Sequence, residues 1–475
     1  MTQQAERMET GGLRQGLRRR HMALISIGGV IGAGLFVGSG VVISATGPAA
    51  VVSFLVAGAL IVLIMRMLAE MTTARPALGS FYAYAREGLG RRAGFAVGWL
   101  YWYFWVIVVA VEAVAGARII QIYLPGVPLW VLSLVLMLAL TATNLISARS
   151  YGEFEYWFSS IKVIAIVVFL AVGVLFLVGL WPHSTPGLAN LWTHGGFAPH
   201  GSAAVLAAIV PCVAFYTGAE IVTIAAAESA EPRRAVTRAM NSIIFRVLLF
   251  YVGSVFVVVA VHPWNSDDIL VSPYAAVSQQ LRIPAVSVVM NAIVLTAVLS
   301  CLNSALYTSS RMLFALTKNG DAPHGLTRLN SRGVPSRAIL AGTCIGFAST
   351  LAAFFSPKLV FQFLINSYGA IALFVYLIIA ITQVRMRRRL ERTAPEQLVV
   401  RMWGFPVLSY VAIAAMAAVI VAMAFRQDTR AQFWLSLLTV AVVLVAYEVR
   451  RRVGRKQESS TDDGLDVTQH AVDAE

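Results

Sequence analysis

The sequence predicts an all-α polytopic membrane protein with twelve transmembrane helices, and two observations carry that prediction. First, 475 residues with 58% hydrophobic and 13% charged side chains, at a mean hydropathy of +0.75, hold more apolar surface than one soluble core can hide. Second, apolar stretches long enough to cross a hydrocarbon core of about 30 Å, roughly 20 helical residues each, recur along nearly the whole chain. The stretches are continuously apolar rather than alternating and about twice as long as barrel strands, which excludes a β-barrel.

The spans fall at 22–43, 48–71, 94–122, 129–146, 156–180, 203–227, 240–261, 284–316, 337–355, 359–383, 404–425 and 433–449. They divide the chain into an N-terminal tail (1–21), a first five-helix unit (22–182), an external loop (183–202) and a second five-helix unit (203–384). A basic loop (385–403), two last helices (404–450) and a C-terminal tail (451–475) follow.

Orientation follows from the basic residues. Arg14, Arg18, Arg19 and Arg20 precede the first span, and Arg75, Arg86, Arg91 and Arg92 follow the second. Arg233, Arg234 and Arg238 follow the sixth, Lys318, Arg328 and Arg332 the eighth, and Arg385, Arg387, Arg388, Arg389 and Arg392 the tenth. The alternate loops carry only Arg282, Lys358, Arg426 and Arg430, so both termini are expected in the cytoplasm. The formal net charge of +14 is thereby assigned to juxtamembrane clusters facing anionic lipid headgroups, with no nucleic-acid partner. The polar start and long first span predict no cleavable leader.

The first span holds Gly28, Gly29, Gly32 and Gly34, four glycines within seven residues. Either two intact helices approach closely there, or the helix is interrupted. The sixth span favours interruption, because Pro211 and the stretch Ala214-Phe215-Tyr216-Thr217-Gly218-Ala219-Glu220 weaken it at the corresponding place. Paired interrupted helices point to a central binding site between two inverted units. Half-helices that end at a break offer free carbonyls to an ammonium, and those that start there offer free N–H groups to a carboxylate. The amides of Gly32, Ala33 and Gly34 are therefore assigned to a substrate carboxylate. The carbonyls of Ile27, Gly28, Ala214, Phe215 and Thr217 are assigned to its amine.

Ionisable groups inside spans are expensive and usually functional. Lys162, about 10 Å along the fifth helix from its start, either snorkels to the headgroups or faces the broken first helix as a proton-carrying group. Glu112 shares a stripe with Tyr101, Trp105 and Val108, and reads either as a proton acceptor or as a structural carboxylate paired with Arg118. Glu220 reads as a brace that caps the second half of the sixth helix, or as a proton-exchanging group. Tyr101, Trp105, Tyr216, Asn303 and Ser304 are pocket candidates. The last two, with Tyr307, serve equally well as interhelical hydrogen-bonding glue. Arg66 and Glu70 read as an intrahelical pair, and Arg246 and Arg311 as snorkelling side chains.

An enzyme needs a constellation such as H-E-x-x-H or a nucleophile with its base, and a nucleotide-driven pump needs a P-loop; the sequence has none of these. A channel needs a continuous polar pore rather than paired breaks. His183, His194 and His200 have no metal-ligand spacing, and Cys212, Cys301 and Cys344 have neither metal nor disulfide spacing. No cofactor, metal or obligatory protein partner is expected.

The glycine-rich first helix, Gly218-Ala219-Glu220-Ile221-Val222 and Ala225-Ala226-Ala227-Glu228-Ser229 resemble the amino-acid permeases of the APC superfamily, over about 17–390. Within it the likeness is to γ-aminobutyrate permeases, through Arg66-Met67-Leu68-Ala69-Glu70-Met71, Gly98-Trp99-Leu100-Tyr101-Trp102, Tyr151-Gly152-Glu153-Phe154-Glu155 and Ser300-Cys301-Leu302-Asn303-Ser304-Ala305-Leu306-Tyr307. The resemblance implies a LeuT-type fold of two inverted five-helix repeats with helices one and six broken, plus two C-terminal helices. It also implies symport of a small amino acid with H⁺ across a bacterial-type inner membrane, driven by the proton gradient. A helix-five lysine then stands in place of a sodium site. γ-Aminobutyrate is the expected substrate, with a small or medium α-amino acid as the alternative.

Overall fold

The computed structural model describes residues 17–28, 31, 32, 34–182, 184, 187–229, 231–282, 285–355, 364, 370–427 and 429–472. Among the described residues the regular structure is helical, apart from one isolated bridge between Leu17 and Ser229.

The first predicted span is two helices, α1 (Arg19–Gly28) and α2 (Ser39–Thr46). Between them Ile31 and Gly32 are non-helical, and Gly34–Gly38 forms a wide π-type turn. Pro48 then opens a short 3₁₀ turn, where its missing N–H costs nothing, and leads into α3 (Ala50–Ala74). The amphipathic helix α4 (Phe81–Leu89) precedes α5 (Arg91–Gln121) and α6 (Leu129–Ile146). Next comes α7 (Ala148–Leu177), started by Ser147, whose hydroxyl accepts from the Ser150 amide.

The sixth predicted span is also two pieces, α8 (Gly201–Phe215) and α9 (Ile221–Ala225). The seventh is α10 (Pro232–Arg246), a π-type stretch Val247–Gly253 and α11 (Ser254–Val261). Two short helices, α12 (Asp267–Val271) and α13 (Pro273–Gln280), occupy a segment to which the sequence assigned no span. The chain ends with α14 (Val286–Lys318), α15 (Ser336–Phe355), α16 (Ile371–Thr393), α17 (Val407–Phe425) and α18 (Arg430–Val472). Most of 359–369, the start of the predicted tenth span, lies outside the described residues.

Eight helical stretches among the described residues are long and apolar enough to cross a membrane, from Gly34–Ala74 to Arg430–Arg452. Their outward faces are apolar, as at Val135 and Leu138 of α6, Ile164 and Val168 of α7, and Val442, Val445 and Val449 of α18. The long pair α5 and α14 packs closely where α5 carries Gly98, since a Cβ there would meet Leu316 Cδ2 at 2.6 Å and Tyr82 Cδ2 at 2.9 Å.

Four charged side chains differ from expectation. Glu70 does not pair with Arg66: it is buried and accepts from Arg387 Nη1 at 2.5 Å, the Met402 amide at 2.6 Å and Gln383 Nε2 at 2.8 Å. Arg66 instead donates to the Arg401 carbonyl at 2.9 Å and stacks on Trp403. A sealed carboxylate takes partners that reach it in the dry interior, and α16 and the segment after it supply three. Arg311 does not snorkel either. It is buried, 2.6 Å from Glu228 Oε1, with its guanidinium 4.1 Å over the Tyr307 ring. Arg246 is likewise buried and donates to the Ala239 and Ser242 carbonyls of its own helix.

Candidate functional site

The first break is built on glycine. Helix α1 stops at Gly28, which leaves the carbonyls of Ile27 and Gly28 at its C-terminal end. Gly29, Val30 and Ala33 lie outside the described residues, and with them one of the three predicted carboxylate-binding amides. The Ile31 carbonyl accepts from Lys162 Nζ at 2.8 Å. Lys162 is fully buried, so it faces the break and not the headgroups. Its Nζ also donates to Ser300 Oγ at 2.8 Å, and that hydroxyl donates to Glu155 Oε1 at 2.6 Å.

Gly32 faces open space: a Cβ there would meet nothing within 4 Å. A Cβ at Gly34 would lie 2.7 Å from Phe215 Cδ1, so the Phe215 ring of the sixth span rests directly on the first break.

At the second break α8 ends at Phe215 and α9 begins at Ile221. Gly218, at φ +113°, turns the chain between them, a conformation that disfavours any side chain. Glu220 is fully buried and accepts from Tyr376 Oη at 2.7 Å, Tyr101 Oη at 2.9 Å and the Gly218 amide at 3.1 Å. Its side chain bonds to the gap itself and does not cap the first amides of α9. The Ala214 carbonyl accepts from the Thr217 amide at 3.2 Å, and the Phe215 carbonyl from Tyr251 Oη at 3.0 Å. Each keeps a second lone pair. Thr217 Oγ1 is sealed from solvent without a hydrogen-bond partner.

The pocket candidates separate into two groups. Tyr101 reaches the second break through Glu220, and Trp105 packs edge-on against Tyr101 at 5.9 Å. Tyr216 turns away, its hydroxyl on the Phe54 carbonyl at 3.0 Å and its ring 4.3 Å from that of Tyr251. Asn303 accepts from Asn144 at 2.9 Å, and Ser304 meets Tyr151 Oη at 3.3 Å, so these two bond to α6 and α7 and to neither break. Tyr307 donates to Glu228 at 2.9 Å.

Among the described residues Glu112 has no ion pair; it lies beside Cys301, with Oε2 sealed and unpartnered. A void of about 10 Å³ lies against the first break, lined by Ile31, Tyr216, Arg246 and Tyr251 among others. His200 Nδ1 lies 2.9 Å from the Ala45 carbonyl and its ring stands edge-on to Trp264. The Trp264 indole donates to the His194 carbonyl, while His183 lies outside the described residues. Among the described residues no group of three potential ligands could hold a metal.

Two participants escaped sequence reading. Tyr376 is a lone tyrosine in an apolar run, with nothing local to mark it. Glu155 sits in a motif that carried the family likeness but shows no chemistry until Ser300 is placed beside it.

The model of the amino acid permease family matches residues 21–460. The chain belongs to that family. A γ-aminobutyric acid permease of Bacillus subtilis is 51% identical over 448 residues, covering 94% of this chain and 96% of that one. A γ-aminobutyric acid permease of Escherichia coli is 47% identical over 428 residues, covering 90% and 91%. An aromatic amino acid transport protein of Corynebacterium glutamicum is 37% identical over 437 residues, covering 91% and 93%. The permease is thus a multi-pass membrane transporter and not an enzyme, and the likeness runs past 390 into the last two helices.

Proposed function

We propose that the permease imports γ-aminobutyrate together with a proton across a bacterial inner membrane, binding it between the two broken helices. The observation that carries this reading is Lys162 Nζ on the Ile31 carbonyl, 2.8 Å away. It sets a titratable cation from α7 directly on the interruption. The names of the two relatives at 51% and 47% identity support the substrate.

Four half-helix ends meet at the breaks. Lys162 bonds the Ile31 carbonyl in the unwound stretch after the first half-helix, and Glu220 stands at the amide start of the last half of the sixth. The other three ends fit a zwitterion. The amides of Gly32, Ala33 and Gly34 suit its carboxylate, and the carbonyls of Ala214, Phe215 and Thr217, with Ile27 and Gly28, suit its amine. γ-Aminobutyrate separates those charges by three methylenes, so it bridges from one break to the other once the Phe215 ring moves off Gly34. Tyr101 and Trp105 then wall the site.

On this reading the chain crosses the membrane twelve times, with spans one to five and six to ten as inverted repeats and both termini in the cytoplasm. The broken-helix bundle rocks against the remaining helices, loading substrate and proton outside and releasing both inside. Lys162 carries the coupling proton, Glu220 braces the second break, and Glu112 is a reserve acceptor beside Cys301. The proton gradient is the energy source.

The test is uptake of radiolabelled γ-aminobutyrate into proteoliposomes with an imposed inward proton gradient, each common amino acid serving as unlabelled competitor. Accumulation that a protonophore abolishes, and that α-amino acids do not compete, is expected. Saturable uptake of a different amino acid would overturn the substrate, and uptake indifferent to the gradient would overturn the coupling.

A further inference from the structure

The buried polar chain at the first break continues past Lys162 to a carboxylate. Ser300 of α14 accepts from Lys162 Nζ at 2.8 Å and donates to Glu155 Oε1 at 2.6 Å. The same carboxylate oxygen accepts from Ser159 at 2.9 Å, while Oε2 is sealed from solvent with no hydrogen-bond partner. Glu155 and Lys162 stand on one helix with their Cα atoms about two turns apart, and Ser300, from another helix, bridges their side chains.

Glu70 and Glu228, also buried, are held by arginines. Glu70 has Arg387, Gln383 and the Met402 amide; Glu228 has Arg311 and Tyr307. Among the described residues Glu155 is bonded only by two serine hydroxyls, which are neutral and can both donate and accept. A fully buried carboxylate with one unsatisfied oxygen is costly as a structural device.

We propose that Glu155 receives the proton that Lys162 releases, through the Ser300 hydroxyl, and passes it toward the end of the membrane where α7 begins. The inference rests on Lys162 as the coupling group. In the step, the Lys162 ammonium gives one proton to Ser300 Oγ as Ser300 gives its hydroxyl proton to Glu155 Oε1. Ammonium and carboxylate become amine and carboxylic acid, the serine is regenerated, and the net charge is unchanged. Glu155 then loses its proton to water on the α7 N-terminal side. The neutral amine holds the Ile31 carbonyl less firmly than the ammonium did, which ties proton departure to loosening of the first break.

The groups around Glu155 are few. Lys162, Ser159 and Tyr151 share its helix, Ser300 and Cys301 come from α14, and Glu112 of α5 lies beyond Cys301. The Arg311–Glu228 pair stands behind Tyr151, and His21 of α1 packs on Gly152.

The experiment uses the full chain in proteoliposomes, comparing wild type, Glu155→Gln, Glu155→Asp and Ser300→Ala. Two readouts are taken with whichever amino acid the wild type exchanges: accumulation driven by an inward proton gradient, and counterflow at equal pH, which needs binding and alternating access but no net proton movement. Glu155→Gln is expected to lose gradient-driven accumulation by at least about tenfold, flatten the pH profile and keep counterflow within about twofold. Ser300→Ala should fall between, and Glu155→Asp should recover part of the loss. Wild-type accumulation in Glu155→Gln, or equal loss of both readouts, would overturn the inference. Should Glu155→Gln fail to fold, wild-type accumulation in Ser300→Ala would overturn it. A wild type indifferent to the gradient would instead bring down the coupling reading on which the inference rests.

Discussion

The two interrupted helices differ in what the protein places at the gap. At the first, a cation from α7 sits on a carbonyl: Lys162 on Ile31. At the second, an anion collects donors: Glu220 takes Tyr101, Tyr376 and the Gly218 amide. Lys162 meets a carbonyl in the unwound stretch after α1, and Glu220 meets the amide of the turn before α9. Lys162 belongs to a chain of exchangeable protons through Ser300, whereas Glu220 is tied by three donors from three segments. On the proposed reading one break changes charge and the other keeps its shape.

The largest expected effect comes from a reference pair outside both breaks. Arg311→Met leaves Glu228 buried without its cation and should cost about 3–5 kcal/mol, read as a fall in thermal stability of the detergent-solubilised protein. An unchanged transition would show that buried charge compensation matters less here than the contrast between the breaks requires. Next, Glu220→Ala strands two tyrosine hydroxyls and an amide, and should cost about 3 kcal/mol or more, with Glu220→Gln about half as damaging. Counterflow and melting should fall together if Glu220 is a brace. Loss of gradient-driven uptake alone would make it a proton carrier.

A smaller effect is expected from Gly34→Val, whose side chain meets the Phe215 ring, 2.7 Å from the new Cβ. It should raise the KM for uptake about tenfold, and Phe215→Ala should relieve part of that in a double-mutant cycle. Additive effects would mean that the ring does not close the site. The smallest belongs to Thr217→Val, which removes a sealed hydroxyl with no well-formed hydrogen bond among the described residues and should change transport by less than about 0.5 kcal/mol. A tenfold loss would place that hydroxyl on the substrate.

Much of this was legible in the sequence because lipid imposes it. Continuous apolar runs gave the helices, and glycine clusters at 28–34 and the weak stretch 214–220 gave both interruptions, since backbone irregularity in a membrane needs special residues. That Lys162 is functional or snorkels was readable from its cost in lipid; its burial on the Ile31 carbonyl decides between the two. Partners were not readable, because a hydrogen bond depends on which helix packs alongside. Arg66 and Glu70, one turn apart, looked like a pair until Arg387 of α16 was found on Glu70. Asn303 and Ser304 read equally well as pocket or as interhelical glue, and their bonds to Asn144 and Tyr151 show the interhelical contacts. The short helices α12 and α13 escaped because they are too short to register as apolar periods.

The measurement to make first compares wild type with Lys162→Ala in the same proteoliposomes, recording amino-acid accumulation under an inward proton gradient beside counterflow at equal pH. If the first break is the charge-changing one, the variant keeps counterflow and loses its response to the gradient. A variant that still accumulates substrate in proportion to the gradient would contradict the assignment and move the coupling proton to another group.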